Sequence, residues 1–122
     1  MENLRPLITG LFLIASLGSA PLMAGPLDPA DQSHQDSVKA VHEAAHEVDH
    51  AWEVYHRAAL GGTVASPALQ AAIEDHLHEA RTLISQALEA AQQGDARQAE
   101  RLVQQVRIHT TDAIEGSKEQ KP

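Results

Sequence analysis

The apolar residues Val38, Val41, Ala45, Val48, Trp52, Tyr55 and Ala59 follow one another at steps of 3, 4, 3, 4, 3 and 4. A strand cannot use that period; a helix packed along its whole length can. The series has a start in Leu27-Asp28-Pro29-Ala30-Asp31, with Asp28 placed to cap, Pro29 at the first helical position and Asp31 favourable to the first-turn dipole. Gly61-Gly62 stops it, which predicts a first helix over about 29–60. Ser66-Pro67 opens a second helix by the same capping logic, and Ile73, Leu77, Ala80, Ile84, Ala87 and Ala91 repeat the seam until Gly94. Asp95 and Gln98 have the spacing of a capping box for a third helix over about 96–115, whose stripe is Ala99, Leu102, Val106, His109 and Ala113 before Gly116. Short connections between long helices make sequential neighbours antiparallel. The expected fold is all-α, an up-down-up antiparallel bundle of three helices over 25–116, followed by a polar, disordered tail over 117–122. Its core is thin, because the seams are rich in alanine and the only aromatics are Phe12, Trp52 and Tyr55. Helix 1 outruns helix 3, so one end of it is expected to lack cover within the chain, and either a homodimer or a fourth helix from elsewhere would supply it.

Residues 1–24 are set apart from this pattern. Arg5 precedes an apolar run from Leu7 to Leu17, and a small-residue segment leads to Ala24, the form of a secretory signal peptide. The run is shorter than a bilayer requires and is interrupted by Thr9, Gly10, Ser16 and Gly18, so no stable membrane insertion is expected after cleavage at Ala24. The chain has no cysteine, which removes disulfides, thiolate zinc sites, iron-sulfur clusters, covalent c-type haem and a lipid anchor at the cleavage site. Export to a bacterial periplasm suits such a domain, which folds without oxidative help. With 17 acidic against 9 basic residues the formal charge is -8, and nucleic acid is excluded as a partner because the chain repels polyanions. No nucleophile with a placed base and no glycine-rich phosphate loop is present, so the chain does not read as an enzyme.

The eight histidines are the compositional outlier. His42, His46 and His50 stand at i, i+4 and i+8 on helix 1, with Asp49 and Glu53 beside them. Imidazoles one turn apart can share a divalent ion, and a carboxylate one turn on can complete the set. The wheel puts the seam roughly 90° from His42, so His42 and His56 are expected to flank the core and His50 to face water. His34 is expected near the seam. His76 turns toward the seam of helix 2, His78 faces out beside Glu74 and Asp75, and His109 sits on the seam edge of helix 3. Folding helices 1 and 2 about the first turn places residues at one height when their numbers sum to roughly 127. His76 is then level with about residue 51, and His109, by the fold about Gly94, with about residues 80 and 47. His46, His50, His76 and His109 are therefore expected within one turn of each other in height, on three helices. The candidate ligands are His42, His46, Asp49, His50, Glu53, His76 and His109. Imidazole and carboxylate donors favour Cu(II), Ni(II) or Zn(II), and Met1 and Met23 both fall in the signal, leaving no thioether. A bis-histidine haem would need an apolar slot that so few large side chains do not provide.

Val41-His42-Glu43-Ala44-Ala45-His46-Glu47-Val48-Asp49-His50, His78-Glu79-Ala80 and the stretch from Leu88 through Gly94-Asp95 to His109 resemble the small metal-binding proteins of the bacterial periplasm. That resemblance implies an antiparallel helical bundle binding divalent ions, copper especially, for buffering, storage or tolerance. This chain is poorer in histidine than that pattern, notably from Leu102 to Val106, which implies one or a few sites. The competing reading is a periplasmic helical stress or chaperone-like protein that binds a partner through its seam and carries its histidines on the surface.

Overall fold

Two glycines end the first two helices by the same device. In the computed structural model, which describes residues 29–119, the elements are α1 (Pro29–Leu60), α2 (Pro67–Gln92) and α3 (Ala96–Lys118). Gly62 has φ 67° and Gly94 φ 83°, the left-handed conformation that costs glycine least. After α1 the Gly62 amide donates to the Ala59 carbonyl and the Thr63 amide to Ala58; after α2 Gly94 donates to Ala91 and Asp95 to Ala90. This paired closure satisfies carbonyls that a helix end leaves open. Each following helix starts at a side-chain cap: Ser66 Oγ accepts from the Leu69 amide and an Asp95 carboxylate oxygen from the Gln98 amide, both at 3.1 Å. Gln98 does not return the bond, since its side-chain oxygen accepts from Arg101. The 1–24 signal, the Asp28 cap and the last residues of the tail lie outside the described residues.

Each helix packs against both of the others, and the up-down-up bundle is all-helical among the described residues. Toward the α2–α3 turn the core is built from Val41, Val48, Leu83, Leu102, Val103 and Val106 with alanines between them. Toward the α1–α2 turn it holds Ala51, Tyr55, Val64, Ile73, Leu77 and Ala113, and Trp52 bridges the two clusters. Residues 29–36, at the start of α1, the longest helix, are exposed. Among the described residues no helix is long and apolar enough to cross a membrane.

Two features depart from the sequence reading. The buried stripe of α1 is Val41, Ala44, Val48, Ala51 and Tyr55, with Ala45 and Trp52 only half-buried. A helix wedged between two partners centres its buried arc between them, and the change from 45 and 52 to 44 and 51 rotates the arc by about 40° at 100° per residue. The second departure is that Gly116 does not end α3. The helix runs on to Lys118, with Ser117 buried and its hydroxyl donating to the Ala113 carbonyl at 2.7 Å. Gly116 is there for proximity: a methyl group at its Cα would stand 3.0 Å from Cγ1 of buried Ile73 and 3.3 Å from its Cδ1.

Candidate metal site

His76 follows buried Ile73 by three residues and precedes buried Ala80 by four, so its ring leaves α2 at the edge of the core. His109 holds the matching place on α3, between buried Val106 and Ala113. The two half-buried rings meet: their Nδ1 atoms are 2.9 Å apart, their centroids 5.1 Å, and their planes are inclined by 44°. A neutral imidazole carries one N–H, so at this distance one ring donates from Nδ1 and the other must hold its hydrogen on Nε2. With both hydrogens on Nε2, the two Nδ1 lone pairs could instead be turned toward one metal ion lying beside the line between them.

The ladder on α1 is a different environment. His42, His46 and His50 are all exposed, and the rotated stripe is the reason: it places His46 opposite the core centre and takes His42 off the core flank. His34 and His56 are exposed as well, the first away from its expected place near the seam. The carboxylates beside the ladder are engaged elsewhere. Asp49 accepts from Arg81 of α2 at 3.3 Å, and Glu53 is paired with Arg57. Glu47 accepts from Arg107 of α3 at 3.4 Å. These are exposed or half-exposed pairs and contribute little to stability, but each guanidinium neutralises a charge a cation would need.

The expected four-histidine cluster is not formed. Among the described residues no three His, Asp or Glu side chains converge so as to hold one ion. The heights are as reckoned, but the faces differ: His76 and His109 meet on the α2–α3 side, whereas His46 and His50 line an α1–α3 groove of about 410 Å³ with Glu47, Thr110, Thr111 and Ile114. The neighbouring residues His109 and Thr110, about 100° apart on α3, thus face different partners, α2 and α1. Of the seven expected ligands, only His76 and His109 are brought nitrogen to nitrogen.

A third constellation was not anticipated. The Trp52 ring lies 5.3 Å from that of His56 and 5.2 Å from that of His78, with the Arg81 guanidinium 5.5 Å above it. Its Nε1 is buried without a hydrogen-bond partner. The height count that levels residue 52 with the 75–78 region was the available signal for it. One turn away, the Tyr55 hydroxyl donates to Glu74 at 2.5 Å, and burial, followed by the Glu74 bond and charge, pushes the phenol up to about 12. Comparison with protein-family models, curated proteins and solved structures finds no match to this chain.

Proposed function

We propose that the chain is a divalent transition-metal binding protein of the bacterial periplasm, taking copper foremost and nickel or zinc as alternatives, and acting in metal buffering, storage or tolerance. The observation that carries this reading is the His76–His109 pair, with two imidazole nitrogens 2.9 Å apart on the bundle surface. Borderline nitrogen donors without thiolate suit these three ions. The surrounding acidity helps, because a chain at -8 draws cations toward it. The exposed ladder His42, His46 and His50 supplies weaker sites through its imidazoles at i, i+4 spacing. Calorimetric titration of untagged protein is expected to give saturable binding at micromolar or tighter affinity for Cu(II), lost in His76→Ala and in His109→Ala. Absence of saturation with Cu(II), Ni(II) and Zn(II) alike would defeat the reading.

A second reading, a helical stress or partner-binding protein, draws on the groove of about 660 Å³ between the N-terminal halves of α1 and α3, lined by Ser33, Ser37, Ala40, Ala99 and Val103 among others. A homodimer covering the exposed start of α1 would appear as a concentration-dependent sedimentation coefficient, and substitution of the exposed groove residue, Ser33→Glu, would abolish it.

A further inference from the structure

The separation of the two Nδ1 atoms specifies more than an affinity for metal. Metal–imidazole bonds of about 2.0–2.1 Å put two nitrogens about 2.9 Å apart when the angle at the metal is a right angle, and about 3.3–3.4 Å apart when it is tetrahedral. His76 and His109 stand at 2.9 Å. A tetragonal ion fits between them with the helices where they are, each ring turning in place to aim its lone pair at the ion. A tetrahedral ion needs the rings pushed about 0.4 Å further apart. The packing of the helices favours the closer spacing: Ile73 and Leu77 on α2 and Val106 and Ala113 on α3, the turns that carry the two histidines, are buried almost completely, so a wider spacing has to come from the rings alone.

The second observation is the size of the donor set. Two histidines meet, and among the described residues no third His, Asp or Glu joins them. Both rings are half-buried and stand at the edge of the core, so the far side of the ion faces outward. Resting on the metal-binding reading above, we infer that His76 and His109 form a half-built, right-angled site for Cu(II), holding the ion through two adjacent equatorial nitrogens and leaving the two opposite positions to ligands from outside the chain. Square-planar and tetragonal preference belongs to Cu(II) and Ni(II) and not to Zn(II), and the affinity order places Cu(II) first. Such a site differs in kind from a closed four-ligand store: the outer ligands can belong to a small chelator, or to the molecule that delivers or receives the ion, so that copper passes without ever being released bare.

The test uses the full, untagged chain carrying His42→Ala, His46→Ala and His50→Ala, so that the ladder contributes nothing, loaded with one equivalent of Cu(II). The probe is 2,2′-bipyridine, whose two nitrogens span adjacent positions of one ion. Expected is a one-to-one-to-one complex of protein, copper and bipyridine, with an axial electron paramagnetic resonance spectrum whose nitrogen splitting changes from two coordinated nitrogens to four. Removal of the copper by one equivalent of bipyridine without a mixed complex, or a spectrum of tetrahedral character before bipyridine is added, overturns the half-built right-angled site while leaving metal binding intact. Saturable copper binding that persists unchanged in His109→Asn overturns the underlying assignment instead. Asn at 109 retains a hydrogen-bonding partner for His76 and is a poor copper ligand, and circular dichroism of the metal-free variant separates lost ligation from lost folding.

Discussion

Two groups of histidines in this chain have opposite origins. His42, His46 and His50 are neighbours by sequence spacing alone, and the fold leaves all three in water with their carboxylates held by arginines. His76 and His109 are 33 residues apart and show no spacing motif, yet the fold brings their Nδ1 atoms to 2.9 Å. The difference teaches that i, i+4 spacing sets only how two side chains stand on their own helix. Whether they face anything is decided by the packing arc, which here turned by about 40° and carried the ladder outward.

The largest effect that could break this comparison is on metal affinity. His76→Ala or His109→Ala is expected to weaken the tightest Cu(II) site by about thirtyfold or more, roughly 2 kcal/mol, and the double variant to lose little beyond either single one, because both ligands serve one ion. Full additivity, measured by calorimetry, would separate the two histidines into independent sites. Replacing His42, His46 and His50 together with alanine should change the affinity of that first ion by less than about threefold while removing weaker equivalents, since exposed ligands one turn apart hold an ion only loosely. Protons compete with metal for imidazole, so copper affinity should fall between pH 7.5 and 5.5, and affinity flat over that span would point to carboxylate ligation.

The same contrast has a stability side. Tyr55 is buried and its phenol titrates at about 12 in the folded chain, above its ordinary value near 10. Because the folded value is raised, the stabilisation is fully present below about pH 10 and is lost as pH climbs toward 12; solvent screening at the bundle edge holds the loss to about 1 kcal/mol. Urea unfolding of the wild type should show that decline, and Tyr55→Phe should remove most of it. The ladder triple variant should keep the alkaline decline and a neutral-pH stability within about 0.5 kcal/mol of wild type. Gly116→Ala probes the α2–α3 contact from the backbone. Alanine gains about 1 kcal/mol in helix propensity, but its methyl meets buried Ile73 at 3.0 Å, and crowding of this kind costs about 1–3 kcal/mol. A net loss near 1 kcal/mol is expected, together with a severalfold weaker copper site where α2 and α3 are pried apart.

Much of the fold could be read from the chain because its punctuation is unambiguous. Ser66, Asp95, Gly62 and Gly94 perform at the helix ends the roles their chemistry suits them for. The errors arise where the side chains carry no information. Alanine stands at both 44 and 45, so hydrophobicity cannot say which of them is central, and the half-buried Trp52 beside the buried Ala51 pulls the apparent seam toward the wrong position. Gly116 reads as a stop signal because close approach to Ile73, its actual use, is a tertiary fact. The candidate site divides along the same line. The height of His76 and His109 follows from chain reversal and was countable. The side of α3 on which each neighbour faces, which separates His109 from the Thr110 groove of His46 and His50, depends on the arc and was not.

The central claim is that the tight ion sits between α2 and α3 and not on the face of α1. Nuclear magnetic resonance of isotope-labelled protein with substoichiometric Cu(II) tests it most directly, since the paramagnetic ion broadens signals nearest to it. The account predicts that signals of His76, Leu77, His109 and Ala113 vanish first while those of His42, His46 and His50 persist. Loss of the ladder signals first, with His76 and His109 still sharp, would contradict it.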